Sequence, residues 1–191
     1  MKQCLSLLFN LLVISCCYAD DPVAANKPFT LISPTFIHKG LLPEKCSSSE
    51  ENCSPEFFWE GAPAGTKSLA LVCSEVTNDK DRKVYWGVFN IPPNVDHLQG
   101  NVGRANSLPM GAFQIMNDFD KIGYDGPPSK LKVRQKFKFT LYALDDVLSL
   151  VPCCTSSQLL RAIQPSEIAH TSMTGYFKYK VNLRNLPPKP Y

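Results

Sequence analysis

KFKFTLYALD, residues 136–145, is the stretch that sets the fold class. Phe137, Phe139, Leu141 and Ala143 share one parity, the pattern of a strand with one face toward a core. Reading outward, FTLISPTF (29–36), SLALVCSEV (68–76), VYWGVFNIP (84–92) and MTGYFKYKVNL (173–183) show the same partial alternation. They are rich in Thr, Val, Phe and Tyr and are flanked by Pro, Asn or Gly, as strands are. Helical signals are few. SSQLLRAIQ, from Ser156, carries Leu159, Leu160 and Ile163 at helical spacing, and Pro165-Ser166-Glu167 reads as a further short turn. No repeat, heptad, charge block or linker divides the chain, so residues 20–191 read as one mainly β domain with an extended tail, NLPPKPY (185–191). Sixteen prolines in 191 residues fit a loop-rich β chain.

Composition narrows the function classes. Twenty basic and 17 acidic residues nearly cancel, which gives no overall electrostatic case for nucleic acid. A hydrophobic share of 44% is enough for a core and too high for a disordered chain. Met1 to Ala19, MKQCLSLLFNLLVISCCYA, has one charge and a short apolar run, too short to span a bilayer. It reads as a secretory leader. Ordinary cleavage after Ala19 competes with a lipobox-like Val13-Ile14-Ser15-Cys16, in which Cys16 would be lipidated and would tether the domain to a membrane. Either way the chain is expected to be exported, as a periplasmic or secreted protein or a lipoprotein.

Eight cysteines invite either a disulfide or a metal reading. Cys4, Cys16 and Cys17 belong to the leader or its edge. Of the five that remain, Cys73 sits in a strand and reads as a buried thiol. Cys46, Cys53, Cys153 and Cys154 are disulfide candidates, either as a local Cys46–Cys53 bridge or as cross-links between the two loops. The adjacent pair is not expected to bridge itself. With no CxxC and three scattered histidines, no metal site and no cofactor are called.

The chain resembles the phosphatidylethanolamine-binding protein family, in its bacterial Raf-kinase-inhibitor-like branch. The likeness runs through SPTF (33–36), CSPEFFWEGAPAGTKSLAL (53–71), WGVFNIPP (86–93), SLPMGAFQIMNDFDKIGYDGPP (107–128), FTLYALDD (139–146) and IAHTSMTGYF (168–177), about residues 27–183 in all. It implies a central antiparallel sheet packed on a second, smaller sheet with one or two peripheral helices, and makes Trp59 core. It also implies an anion pocket at one end of the sheet, built from a DPDxP segment, a histidine before the NIP strand, a GxGPP-type loop and an HRY segment.

At those positions this chain departs from the family. Glu75 keeps a carboxylate, Thr77 replaces the second Asp, and Tyr85, followed by Trp86, stands where the family has its first pocket histidine. The loop Tyr124-Asp125-Gly126-Pro127-Pro128 survives best. HRY becomes Gln135-Lys136-Phe137, and alternation should turn Lys136 away from Gln135. With both histidines replaced by neutral side chains, charge-assisted bonds to an anion are lost.

No GxSxG elbow, GxxxxGK[ST] or GxGxxG occurs, and His38, His97 and His170 are isolated, so no catalytic residue is assigned. The expected function is a non-enzymatic exported binding or inhibitor-like protein, its partner a small polar or anionic ligand or a protein segment. The alternative is an envelope structural or interaction protein that keeps the fold and uses another surface. A homodimer fits the resemblance.

Overall fold

The computed structural model describes residues 27–77, 82–128 and 134–178. The leader with Cys16, most of the charged loop 78–83, the second half of the expected strand 173–183 and the tail 185–191 lie outside them.

Eight strands and one helix make up the described fold. A five-stranded antiparallel sheet runs in the order β6 (Phe113–Gln114), β4 (Val84–Ile91), β3 (Ser68–Glu75), β7 (Gln135–Leu144) and β8 (Glu167–Phe177). A three-stranded sheet pairs β1 (Thr30–Ile32), β2 (Phe57–Glu60) and β5 (His97–Leu98). The two-sheet, mainly β architecture is the expected one.

Alternation explains how the layers stack. The inward residues of β7 (Phe137, Phe139, Leu141 and Ala143) meet Leu31, Phe36, Phe57, Trp59 and Leu98 in the core between the sheets. Phe139 lies 5.1 Å from Phe57 and 5.4 Å from Phe36, ring centre to ring centre. On the other face of the large sheet, Ala70, Val72, Val84, Phe89, Ile115 and Leu144 pack against Leu159 and Ile163 of α1 (Ser156–Ser166). Strand β3 is buried on both faces because it is central and covered twice, so its apolar run is nearly continuous. Gly87 lets the helix approach, since a Cβ there would lie 3.0 Å from Leu159 Cδ2 of α1 and 2.7 Å from Ile115.

Local chemistry sets the boundaries. Pro34 cannot donate to a ladder, and β1 stops at Ile32 as Ser33 Oγ donates to the Glu56 carbonyl and accepts from Thr35 N. Thr155 caps α1 in a capping box with Gln158. The expected turn at Pro165-Ser166-Glu167 is not separate: Pro165 and Ser166 end α1, and β8 begins at Glu167.

All five described cysteines are free thiols, so the disulfide expectation for Cys46, Cys53, Cys153 and Cys154 is corrected. The 3-10 turn Glu44–Cys46 buries Cys46, whereas the Cys53 thiol donates outward to Glu51 Oε2 at 3.7 Å. Cys154 is buried under α1, and Cys153 beside it takes a left-handed backbone (φ 63°). The two loops therefore close by packing and backbone bonds.

Candidate functional site

The C-terminal end of β3 brings three separated positions together. Because β3 lies between β4 and β7, Glu75 falls between Tyr85 and Gln135. Tyr85 donates its hydroxyl to Glu75 Oε2 at 3.0 Å, and Gln135 Nε2 donates to Glu75 Oε1 at 3.0 Å. Both donors are buried, Tyr85 at 3% and Gln135 at 5% exposure. Phe119 and Phe137 flank the tyrosine ring at 4.7 and 5.0 Å. Burial, then the Glu75 charge and hydrogen bond, push the Tyr85 phenol well above its usual range, so it stays a neutral donor. Thr77 lies just past β3 in a bend and is exposed.

The loop after β6 forms a second charged centre. Asp125 N donates to the Tyr85 carbonyl at 3.0 Å, tying the loop to the first group. The Asp125 carboxylate is buried and takes Arg104 at 2.8 Å and Asn52 at 3.0 Å on Oδ1, and Lys121 at 3.0 Å on Oδ2. Burial alone would raise its pKa, but bonds from Lys121, Asn52 and Arg104 hold it below the ordinary carboxylate value. Asn52 also accepts from Gly126 N at 2.8 Å. Gly126 passes so close to the Cys46 carbonyl that a Cβ would lie 1.8 Å from that oxygen. The Pro127 carbonyl accepts from Ser47 Oγ and Ser48 N at 2.7 and 3.1 Å. Pro128 is half-buried at the end of this loop.

Two expected site residues face the core. Trp86 is fully buried, donates its indole N–H to Gln114 Oε1 at 2.8 Å and meets Tyr124 edge-on at 5.6 Å. Tyr124 is buried and donates to the Cys46 carbonyl at 2.9 Å. Beside them a cleft of about 140 Å³ is lined by Glu51, Asn52, Ser54, Asn101, Gly103, Arg104 and Tyr124.

Sequence reading missed the Asp125 centre. Lys121 lies four residues before Asp125, which is a local signal, but Arg104 and Asn52 reach it from distant loops and leave no spacing to read.

The carboxylates are therefore held differently. Asp125 is matched by two cations. Glu75 faces two neutral donors, and Lys136 next to Gln135 is exposed on the outer side, as alternation requires.

Residues 32–178 match the family model for phosphatidylethanolamine-binding protein. A UPF0098 protein of Methanothermobacter thermautotrophicus is 36% identical over 143 residues, covering 75% of this chain and 94% of that one. A putative lipoprotein, LppC, of Mycobacterium tuberculosis is 30% identical over 161 residues, 84% of this chain and 77% of that protein. Among solved structures, YbcL of Escherichia coli, described as a new member of the mammalian PEBP family, superposes with a TM-score of 0.72. It is 27% identical, over 80% of this chain and 99% of its own.

Proposed function

The chain belongs to the phosphatidylethanolamine-binding protein family, and from that premise we propose a non-catalytic binding protein whose sheet-end site takes a small hydrogen-bonding ligand and rejects phosphate. One observation carries the reading: among the described residues, the Glu75 carboxylate is bound by two neutral donors, Tyr85 and Gln135, and by no cation. An anion entering here meets a negative group, while Arg104 and Lys121 are engaged by Asp125. A neutral or cationic donor can use the carboxylate lone pairs left open.

The histidine environments support a non-enzymatic role. His97 bonds Glu56 and stacks on Phe58, His170 bonds Glu167, and His38 accepts from Thr174 N. None of these contacts joins a histidine to a serine or cysteine nucleophile.

Titration calorimetry tests the ligand class. Phosphoethanolamine and inorganic phosphate are expected to bind no tighter than millimolar, and sub-micromolar affinity for either overturns the proposal. A second reading, a protein that retains the fold and acts through another surface, is favoured by the buried donors Tyr85 and Gln135, which already occupy one position on each Glu75 oxygen. Glu75→Ala with Tyr85→Ala separates the two: partner capture that survives the double change supports the second.

Export belongs to the same proposal. It rests on the leader-like residues 1–19 and on the likeness to a protein described as a putative lipoprotein. Intact mass of the cell-derived protein distinguishes cleavage after Ala19 from acylation at Cys16, and a mass equal to all 191 residues overturns both.

A further inference from the structure

The near-neutral charge of the whole chain conceals a local excess. No acidic residue occurs from Gly126 to Leu144 or after Glu167, while Lys130, Lys132, Arg134, Lys136 and Lys138 recur at every second position. Strand β7 turns Gln135, Phe137 and Phe139 inward, which sends Arg134, Lys136 and Lys138 to the opposite face, about 7 Å apart along the strand. Across the ladder Lys136 pairs with Tyr176 and Lys138 with Thr174, and the Arg134 guanidinium lies 3.7 Å over the Tyr176 ring. Lys178 continues the row from Tyr176 on β8 and is exposed. Among the described residues, none of Lys39, Arg134, Lys136, Lys138 and Lys178 is in an ion pair.

Apolar groups border the same face. The free edge of β8 is covered by residues 39–42: Lys39 N donates to the Thr174 carbonyl at 2.6 Å, Tyr176 N to the Gly40 carbonyl at 2.8 Å, and Leu42 N to the Tyr176 carbonyl at 2.7 Å. Phe36 and Leu42 enter the core and pack at Gly175. Ile37 and Leu41 are left in water, 78% and 59% exposed, on either side of Lys39.

We infer that this face, the outer side of β7 and β8 with the 37–41 loop, docks on an anionic phospholipid bilayer. Cations alone suit any polyanion. Two exposed aliphatic side chains at the rim of a basic face select a surface that offers both a charged headgroup layer and an acyl boundary. Tyr176 sits between the cations as an amphipathic aromatic suited to that boundary. This surface is independent of the Glu75 site, which opens at the inner side of β7.

Vesicle co-sedimentation of residues 20–191, which hold every element of both sheets, tests the inference without a leader or lipid anchor. Binding is expected to vesicles containing phosphatidylglycerol, not to pure phosphatidylcholine, and to fall as salt is raised. Lys136→Glu with Lys138→Glu should lower partitioning by roughly thirty-fold or more, at about five-fold for each cation lost. Ile37→Ser with Leu41→Ser should weaken binding while leaving its salt dependence, and Lys27→Gln, which pairs with Glu60 on the small sheet, should change neither. Equal binding to neutral vesicles overturns the inference. So does indifference to the charge reversals in variants with an unchanged urea midpoint. Capture by polyglutamate without vesicle binding does the same, and assigns the face to an acidic protein.

Discussion

Replacing Tyr85 with Phe isolates the bond on which the site reading depends. Phe keeps the ring between Phe119 and Phe137 and removes only the hydroxyl that reaches Glu75 at 3.0 Å. A hydrogen bond to a charged group contributes about 1.5–3 kcal/mol. Glu75 is half-exposed, so water partly replaces the lost donor and the expected cost falls to about 1–2 kcal/mol. In a domain of this size each kcal/mol moves Tm by about 2–4 °C, giving a fall of about 2–8 °C. Urea unfolding followed by tryptophan fluorescence reads the change, because Trp59 and Trp86 are both buried in the inter-sheet core. A double-mutant cycle with Glu75→Gln should return a coupling of about 1 kcal/mol, since the two residues share one contact. A loss under about 0.3 kcal/mol with no coupling refutes the pairing.

Other consequences follow from the same geometry. Tyr85→His should tighten phosphoethanolamine binding by about tenfold below pH 6 and far less at pH 8, because only the imidazolium supplies a charge-assisted bond; calorimetry at the two pH values checks it. Burial raises the phenol pKa of Tyr85, Tyr124 and Tyr142. Their stabilising protonation is complete below the unfolded tyrosine value near 10, so stability should fall as pH rises beyond about 10, with absorbance at 295 nm showing ionisation only on unfolding. Asp125 is shifted the other way: its contribution is present above the unfolded carboxylate value near 3.9 and is lost as pH falls through its lowered folded value. Asp125→Asn should flatten the acid limb of a urea-midpoint profile. Among the described thiols, Cys53 and Cys153 should label first with a thiol reagent, because Cys46, Cys73 and Cys154 are buried and burial raises the Cys46 pKa to about 12.

Long strands with large apolar residues turned inward, β7 and β3, were legible, whereas β2 and the early part of β8 were not. β7 and β3 announce themselves because their inward residues are large and apolar. The early part of β8, Glu167 to Ser172, is exposed or half-buried along its length, so the sequence places no apolar period there. Its strand state comes from cross-strand pairing with β7, from Leu144↔Glu167 to Thr140↔Ser172, a tertiary effect. β2 is short, and its FFWE carries a second aromatic, Phe58, on the solvent face, where it stacks on His97 and masks the alternation. At the site, Glu75, Tyr85 and Gln135 were legible as a group only through the family resemblance, which implies a pocket built from their three segments; the structure brings them together at the end of β3. The Asp125 cluster was not, since its partners converge from separate loops.

The two surfaces share one strand, and that sharing explains why whole-chain charge misleads. On β7, Gln135 turns in to complete a neutral-donor pair around Glu75, and Lys136 turns out to a row of cations. A period of two separates them across the sheet, and Phe137 begins the packed core between them. Charge at Lys136 and Lys138 therefore lies on the opposite side of the sheet, and neither lysine supplies the Glu75 site with a cation. A one-residue register slip would place Lys136 against Glu75 and Gln135 in water, while sending Phe137 and Phe139 out of the core. Burial of those two rings, at 1% and 0% exposure, fixes the register. The packing that holds the fold thus also keeps the pocket uncharged at Gln135 and the outer face basic.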